Sequence, residues 1–291
     1  MLFYSPVAWL VLIIFTFQSG MIFSGMIEMI EREQAMGYDT IFISASLFNR
    51  LFYNIQDYLF LYIPLLTMGL VSRDLAGGTI KFLHSSPMTN SQIILGKFLS
   101  MMIFALLLVG IFVLYVIYSL FVVENFDLCY ILTGILGIYL LICTYASIGL
   151  FMSTISSYQI IAAVAGAAAL LLAYLMPSLR RMFTTGSAVA LALFTALAAV
   201  LSVVAGLRSR SFTLGCLTFA GCCAALTVLF LLRSSWLTEG FSAVLSALCL
   251  FAPFEEFANS NFSIPTLVYY LTVTVLFLFF TVQELEKRRW N

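Results

Sequence analysis

The chain has 291 residues, of which 63% are hydrophobic and 9% charged. Its mean hydropathy is +1.10, and its 13 basic and 13 acidic side chains cancel. A soluble domain averages about 25% charged residues, and no water-soluble fold of this size hides so much apolar surface. The composition therefore excludes a soluble protein, and the balanced charge gives no footing for nucleic-acid binding. What remains is an integral membrane protein, an all-α polytopic transmembrane bundle.

About 20 apolar residues cross the hydrocarbon core. Residues 6–27 form the first such run. No basic segment precedes it and no small-x-small cleavage site follows, so it reads as a span rather than a signal peptide. Residues 28–54 form a loop, and its later part, IFISASLFNRLF, sets Leu47, Phe48, Leu51 and Phe52 at helical spacing. That pattern predicts a helix lying on the membrane surface. The second span is 55–72, with Asp57 near its outer edge at headgroup depth.

A polar island follows, Arg73 to Lys97, reading RDLAGGTIKFLHSSPMTNSQIILGK. Gly77 and Gly78 break the chain, a short helix is expected over 80–85, and Pro87 stops it. Thr89 and Gln92 have the spacing of a capping box, which starts the next helix and carries it into the third apolar run, 93–123. The helix over 80–85 buries little surface of its own, so it calls for a partner.

An acidic turn at 124–127 leads to a fourth span, 128–152, and the uncharged turn 153–157 to a fifth, 158–176, ending near Pro177. The fifth carries Ala162, Gly166 and Ala167 to Ala169, small residues that let helices approach closely in lipid. Arg180 and Arg181 mark a loop. Two further runs, 187–206 and 212–232, are joined by Arg208 and Arg210. Residues 235–263 are mixed. Their apolar part, 241–254, is short and is followed by Glu255 and Glu256, which reads as an extracytoplasmic re-entrant or interfacial segment. The last span is 264–282, with the tail QELEKRRWN. The expectation is about eight spans. With both termini cytoplasmic, the inner side holds Arg73, Lys81, Lys97, Arg208, Arg210, Lys287, Arg288 and Arg289. The outer side holds Arg32, Arg50, Arg180, Arg181 and Arg233. That bias follows the positive-inside rule.

No Walker-type phosphate loop, G-x-S-x-G elbow or paired metal-ligand motif occurs. The six cysteines lie in or beside apolar runs and read as packing residues, and His84 is the only histidine. No catalytic, cofactor or metal residues are assigned, and no cofactor is expected. The polar groups of the early spans, Gln18, Ser19, Ser24, Tyr62, Thr67, Tyr115, Tyr118, Thr144 and Tyr145, are expected to bond helix to helix.

The stretch GTIKFLHSSPMTNSQIILGKF resembles the cytoplasmic loop of the membrane-spanning subunits of ABC-2 type exporters, through Gly78-Thr79, Ser86-Pro87 and Gly96-Lys97-Phe98. FYSPVAWLVLIIFTFQSGMIF and VYYLTVTVLFLFFTVQELEKRRW are similar to the first and last spans of the gliding-motility-like branch. The resemblance covers both ends and the first third, and covers the region from about Arg180 to Trp236 poorly. The family often has a carboxylate where Lys81 stands, and usually an amphipathic basic helix before the first span, where Met1 here stands almost at the membrane.

The resemblance implies a permease in a bacterial inner membrane, working with a cytoplasmic ATP-binding cassette subunit and a second permease copy or paralogue. It makes the loop 73–92 the coupling element, with Arg73, Asp74, Gly78, Thr79, Ile80, Lys81, Leu83, His84 and Pro87 as the interface to the ATPase. The common plan has about six spans, so 187–232 reads as an inserted hairpin. Two other readings stay open: a non-transporting membrane anchor for an ATPase, and a membrane-embedded enzyme acting on lipid.

Overall fold

The computed structural model describes residues 5–37, 40–79, 88–122, 128–183, 249–259 and 261–290, with single positions at 195, 202 and 221. No strand occurs among the described residues. The helices are α1 (Pro6–Ala35), α2 (Thr40–Thr67), α3 (Ser72–Ala76), α4 (Asn90–Val122), α5 (Leu128–Ile155), α6 (Gln159–Phe183), α7 (Ala252–Ala258) and α8 (Ile264–Trp290). Among the described residues six stretches are long and apolar enough to cross a bilayer: Pro6–Met29, Phe48–Ala76, Asn90–Phe121, Ile131–Ile155, Gln159–Ser178 and Ile264–Arg288. The chain is thus a multi-pass membrane protein whose six spans coincide with six of the eight expected. The expected hairpin 187–232 and residues 235–248 lie outside the described residues, apart from the isolated positions.

The chain divides into two compact units, Met1–Leu172 with Pro253–Asn291, and Ala173–Ala252. In the larger unit α5 is the central helix. Its most apolar window is 72% buried, against 22% in α1 and α8. Three of its glycines explain how neighbours come so close. A Cβ on Gly134 would collide with the Phe52 ring, one on Gly149 with Thr67, and one on Gly137 would stand 2.6 Å from Phe257. Helix α2 lies against α5 in parallel register, with partners 82 positions apart: Phe52 with Gly134, Thr67 with Gly149, Val71 with Ser153. Helix α8 meets α5 through the Thr144 and Thr274 hydroxyls, 3.2 Å apart, and through Phe151 against Phe277 and Phe280.

Aromatic side chains seal the seam between α1, α2 and α4. The Phe15 ring stands edge-on to Tyr62 and Phe112, and Phe23 stacks on Tyr115 with centroids 4.6 Å apart. Tyr62 donates to Gln18, and Ser19 shares a 3.0 Å hydrogen bond with Tyr115. Of the expected interhelical polar groups, Gln18, Ser19, Tyr62, Tyr115 and Thr144 therefore bond across helices. On the outside of α1 and α4, Ile13, Phe17, Leu114 and Phe121 are exposed, as lipid-facing side chains are. Gly166 of α6 packs on Pro64, where an added Cβ would sit 3.3 Å from the proline ring. Gly166 thus serves packing within the chain, while Ala168 of the same run is exposed. Helix α7 covers the start of α5: Phe254 and Phe257 are fully buried, and Phe254 stands edge-on to Tyr53. Hydroxyls of Thr266 and then Ser263, at the start of α8, hold the Glu256 carboxyl below its ordinary range. In the smaller unit, Tyr174 of α6 meets Phe251 edge-on, and the Ala252 N–H donates to Cys249 Sγ.

Two expectations are corrected. The stretch read as a surface helix is continuous with the second span, because α2 runs unbroken from Thr40 to Thr67. Its stripe Phe48, Leu51, Phe52 and Ile55 is buried to 3% exposure or less, with Phe52 seated on Gly134. Protein rather than lipid covers that face. The fifth span ends at Ser178, beside Pro177 as expected, while its helix α6 runs on through Arg180 and Arg181 to Phe183. Proline is tolerated inside membrane helices because neighbouring groups satisfy the freed carbonyl. Finally, Asp57, expected near the outer edge of the second span, lies inside it, because that span starts at Phe48.

Candidate functional site: the elbow that carries the 73–92 loop

Helix α2 ends at Thr67 and the chain turns through 68–71 before α3 begins. Such a break leaves carbonyls at the end of one helix and N–H groups at the start of the next without partners. Val71 stands at the N-cap of α3 with no capping side chain. The cap comes from another helix. Ser153 of α5 accepts from the Val71 and Ser72 N–H groups at 3.2 and 3.1 Å and donates to the Met68 carbonyl at 2.8 Å. One fully buried hydroxyl thus serves both sides of the break.

Lys97 of α4 holds the elbow from the other side. Its ammonium donates to the Leu70 carbonyl and pairs with Asp74. Asp74 is 6% exposed, so the ammonium takes the place of water its carboxylate has lost. The elbow is therefore tied to α5 through Ser153 and to α4 through Lys97, and α3 cannot shift without disturbing both.

Beyond α3 the chain breaks as the paired glycines require. The Gly77 N–H bonds back to the Arg73 carbonyl at 2.9 Å, and Gly78 follows with φ +70°, a left-handed conformation that favours glycine. The far side of the loop re-enters through the expected capping box. The Thr89 N–H donates to Gln92 Oε1 at 3.0 Å, and the Gln92 N–H to Thr89 Oγ1 at 3.4 Å, which fixes the first turn of α4.

Of the residues assigned to the ATPase interface, Arg73 and Thr79 are exposed, Gly78 makes the turn and Asp74 is buried in its ion pair. Asp74 is thus an internal strut. Ile80, Lys81, Leu83, His84 and Pro87, with the short helix expected over 80–85, lie outside the described residues. The sequence reading missed Ser153 as a cap and Lys97 as a strut. The signal for Lys97 was present: a lone ammonium a turn or more inside an apolar helix requires a counter-charge.

The elbow sits at one end of the bundle. Arg288 of α8 donates to the Ile155 carbonyl at the end of α5, and Ser5 and Val7 before and in α1 share a cavity with Arg73 and Lys97. At the opposite end Asn49 bonds Asn259 and Arg50 meets Met29. Within the larger unit the described basic residues at the elbow end are Arg73, Lys97, Lys287, Arg288 and Arg289, and those at the opposite end Arg32 and Arg50, while Arg180 and Arg181 of α6 belong to the smaller unit. No group of His, Cys, Asp and Glu able to hold a metal occurs among the described residues. Comparisons with family models, curated proteins and solved structures gave no match.

Proposed function

We propose that the chain is the membrane-spanning subunit of an ATP-driven ABC-2 type exporter in a bacterial inner membrane. In this reading it forms the export pathway beside a second copy or paralogue, and a separate cytoplasmic ATP-binding subunit drives it. The observation that carries the reading is the elbow. A loop resembling the coupling loop of those permeases hangs, on its N-terminal side, from a short helix tied to α5 by Ser153 and to α4 by Lys97. A push on the loop by a partner that closes on ATP reaches two spans at once, the kind of rigid coupling that turns a local closure into a tilt of helices. The sequence itself offers no phosphate loop, so ATP hydrolysis belongs to the partner.

The test is co-purification of an ATP-binding subunit with tagged permease, and substrate-stimulated ATPase activity of the pair in proteoliposomes. Leu83→Asp removes one apolar anchor of the loop. Losing a buried leucine is worth ~1.5–3 kcal/mol, so partner recovery should fall by about tenfold or more. Membrane insertion of the permease should be unchanged. Undiminished recovery and coupling would leave the loop a plain turn that sets topology.

A further inference from the structure

We propose that the elbow end of the bundle holds a binding site for the phosphodiester headgroup of an anionic lipid. A cavity of about 340 Å³ opens there between the start of α1, the α2–α3 elbow, the first turns of α4 and the start of α6. That volume lies at the low end of small-molecule sites, which run from roughly 300 to 1,000 Å³. Its walls divide by chemistry. Leu66 and Ile93 supply apolar surface, while Arg73, Gln92 and Gln159 bring guanidinium and amide groups.

The charge points to an anion. Lys97 and Asp74 both line the cavity and neutralise each other in their ion pair. Arg73 is exposed and has no ion pair among the described residues, so the cavity keeps one uncompensated positive charge. The guanidinium reaches the cavity wall: around the place a Cβ on Gly69 would occupy, Arg73 Nη2 lies 3.9 Å away, with the acceptor Gln159 Oε1 3.8 Å away. Gln92 uses its carbonyl oxygen in the capping box, which leaves its amide nitrogen able to donate. A guanidinium with an amide donor is a phosphate-binding set.

The location selects the source of the phosphate. The cavity lies where four apolar spans begin or end, at the depth where acyl chains give way to headgroups, and at the end of the larger unit richer in Lys and Arg. An occupant that is apolar on one side and a phosphate anion on the other fits both kinds of wall. A free phosphate would use only the polar ones.

Native mass spectrometry of the purified, delipidated full chain tests this, titrating phosphatidylglycerol against phosphatidylcholine of the same acyl chains and, separately, inorganic phosphate. No ATPase subunit is present, so a failure here is distinct from a failure of the transporter reading. Phosphatidylglycerol should bind about five-fold more tightly than phosphatidylcholine, the worth of one arginine at an anionic surface. Arg73→Gln should abolish that preference, and Gly69→Leu should do so by filling the cavity without changing its charge. Arg50→Gln, at the opposite end, should keep it. Should Gly69→Leu fail to fold, Arg73, exposed and without an ion pair among the described residues, still carries the test. A preference that survives Arg73→Gln, or that Arg50→Gln lowers equally, overturns the site. Saturable inorganic phosphate binding that depends on Arg73, without a lipid preference, overturns the lipid as occupant.

Discussion

Lys97 and Asp74 form the one ion pair among the described residues that is largely withdrawn from solvent, with side chains 17% and 8% exposed. The tail pairs of Glu284 with Lys287 and Arg288 are more open, with Lys287 70% exposed, and contribute little. Removing one member of a buried pair strands the other charge, which costs ~3–5 kcal/mol when burial is complete. Lys97→Met should therefore destabilise the chain by about 3 kcal/mol, at the lower end because its side chain keeps some access to water. Asp74→Leu added to Lys97→Met should restore most of that loss, because the stranded carboxylate is gone. The part due to the Leu70 carbonyl, which also loses its donor, should stay lost. Thermal unfolding in detergent reads both variants. Equal instability of the single and the double variant would mean that the pair does not hold the elbow.

Helix α5 organises the spans, and its glycines permit this at the element scale. Gly149 stands against Thr67, so Gly149→Ala forces α2 and α5 apart and should cost about 1–3 kcal/mol. Gly110→Ala in α4 meets nothing within 4 Å and should be neutral or stabilising by up to ~1 kcal/mol. Matching melting temperatures for the two would remove α5 from its central place. Six span positions were legible in the sequence because apolar length is a strong signal, and the capping box of Thr89 and Gln92 because its chemistry is local. The packing partners were not. The stripe of Phe48, Leu51 and Phe52 has the period of a surface helix, but the period shows only that a face is apolar. It cannot tell a bilayer from a neighbouring helix, and Gly134, more than 80 positions away, decides the matter. The elbow was half legible. Gly77 and Gly78 announced the break, whereas Ser153 is an ordinary serine in an uncharged turn until α5 is laid beside α2.

For the whole molecule, the start of α1 and the end of α8 lie at the same end of the bundle, together with the elbow and the capping box of α4. The chain therefore crosses the membrane an even number of times. Six crossings satisfy this, and so do the eight expected with the hairpin at 187–232. Coupling to an ATPase demands more: the elbow end must face the cytoplasm, where ATP is. Within the larger unit the bias of Arg73, Lys97, Lys287, Arg288 and Arg289 over Arg32 and Arg50 points the same way, and Arg180 and Arg181 at the end of α6 reduce it. The direct measurement is labelling of single cysteines by a membrane-impermeant thiol reagent in intact cells, in a background where the six native cysteines are replaced. Met36→Cys, in the exposed turn after α1, should be labelled. Met88→Cys at the loop and Lys287→Cys on α8 should be labelled only after the cells are opened. Labelling of Met88→Cys or Lys287→Cys in intact cells, with protection of Met36→Cys, would put the elbow on the wrong side of the membrane and contradict the coupling account.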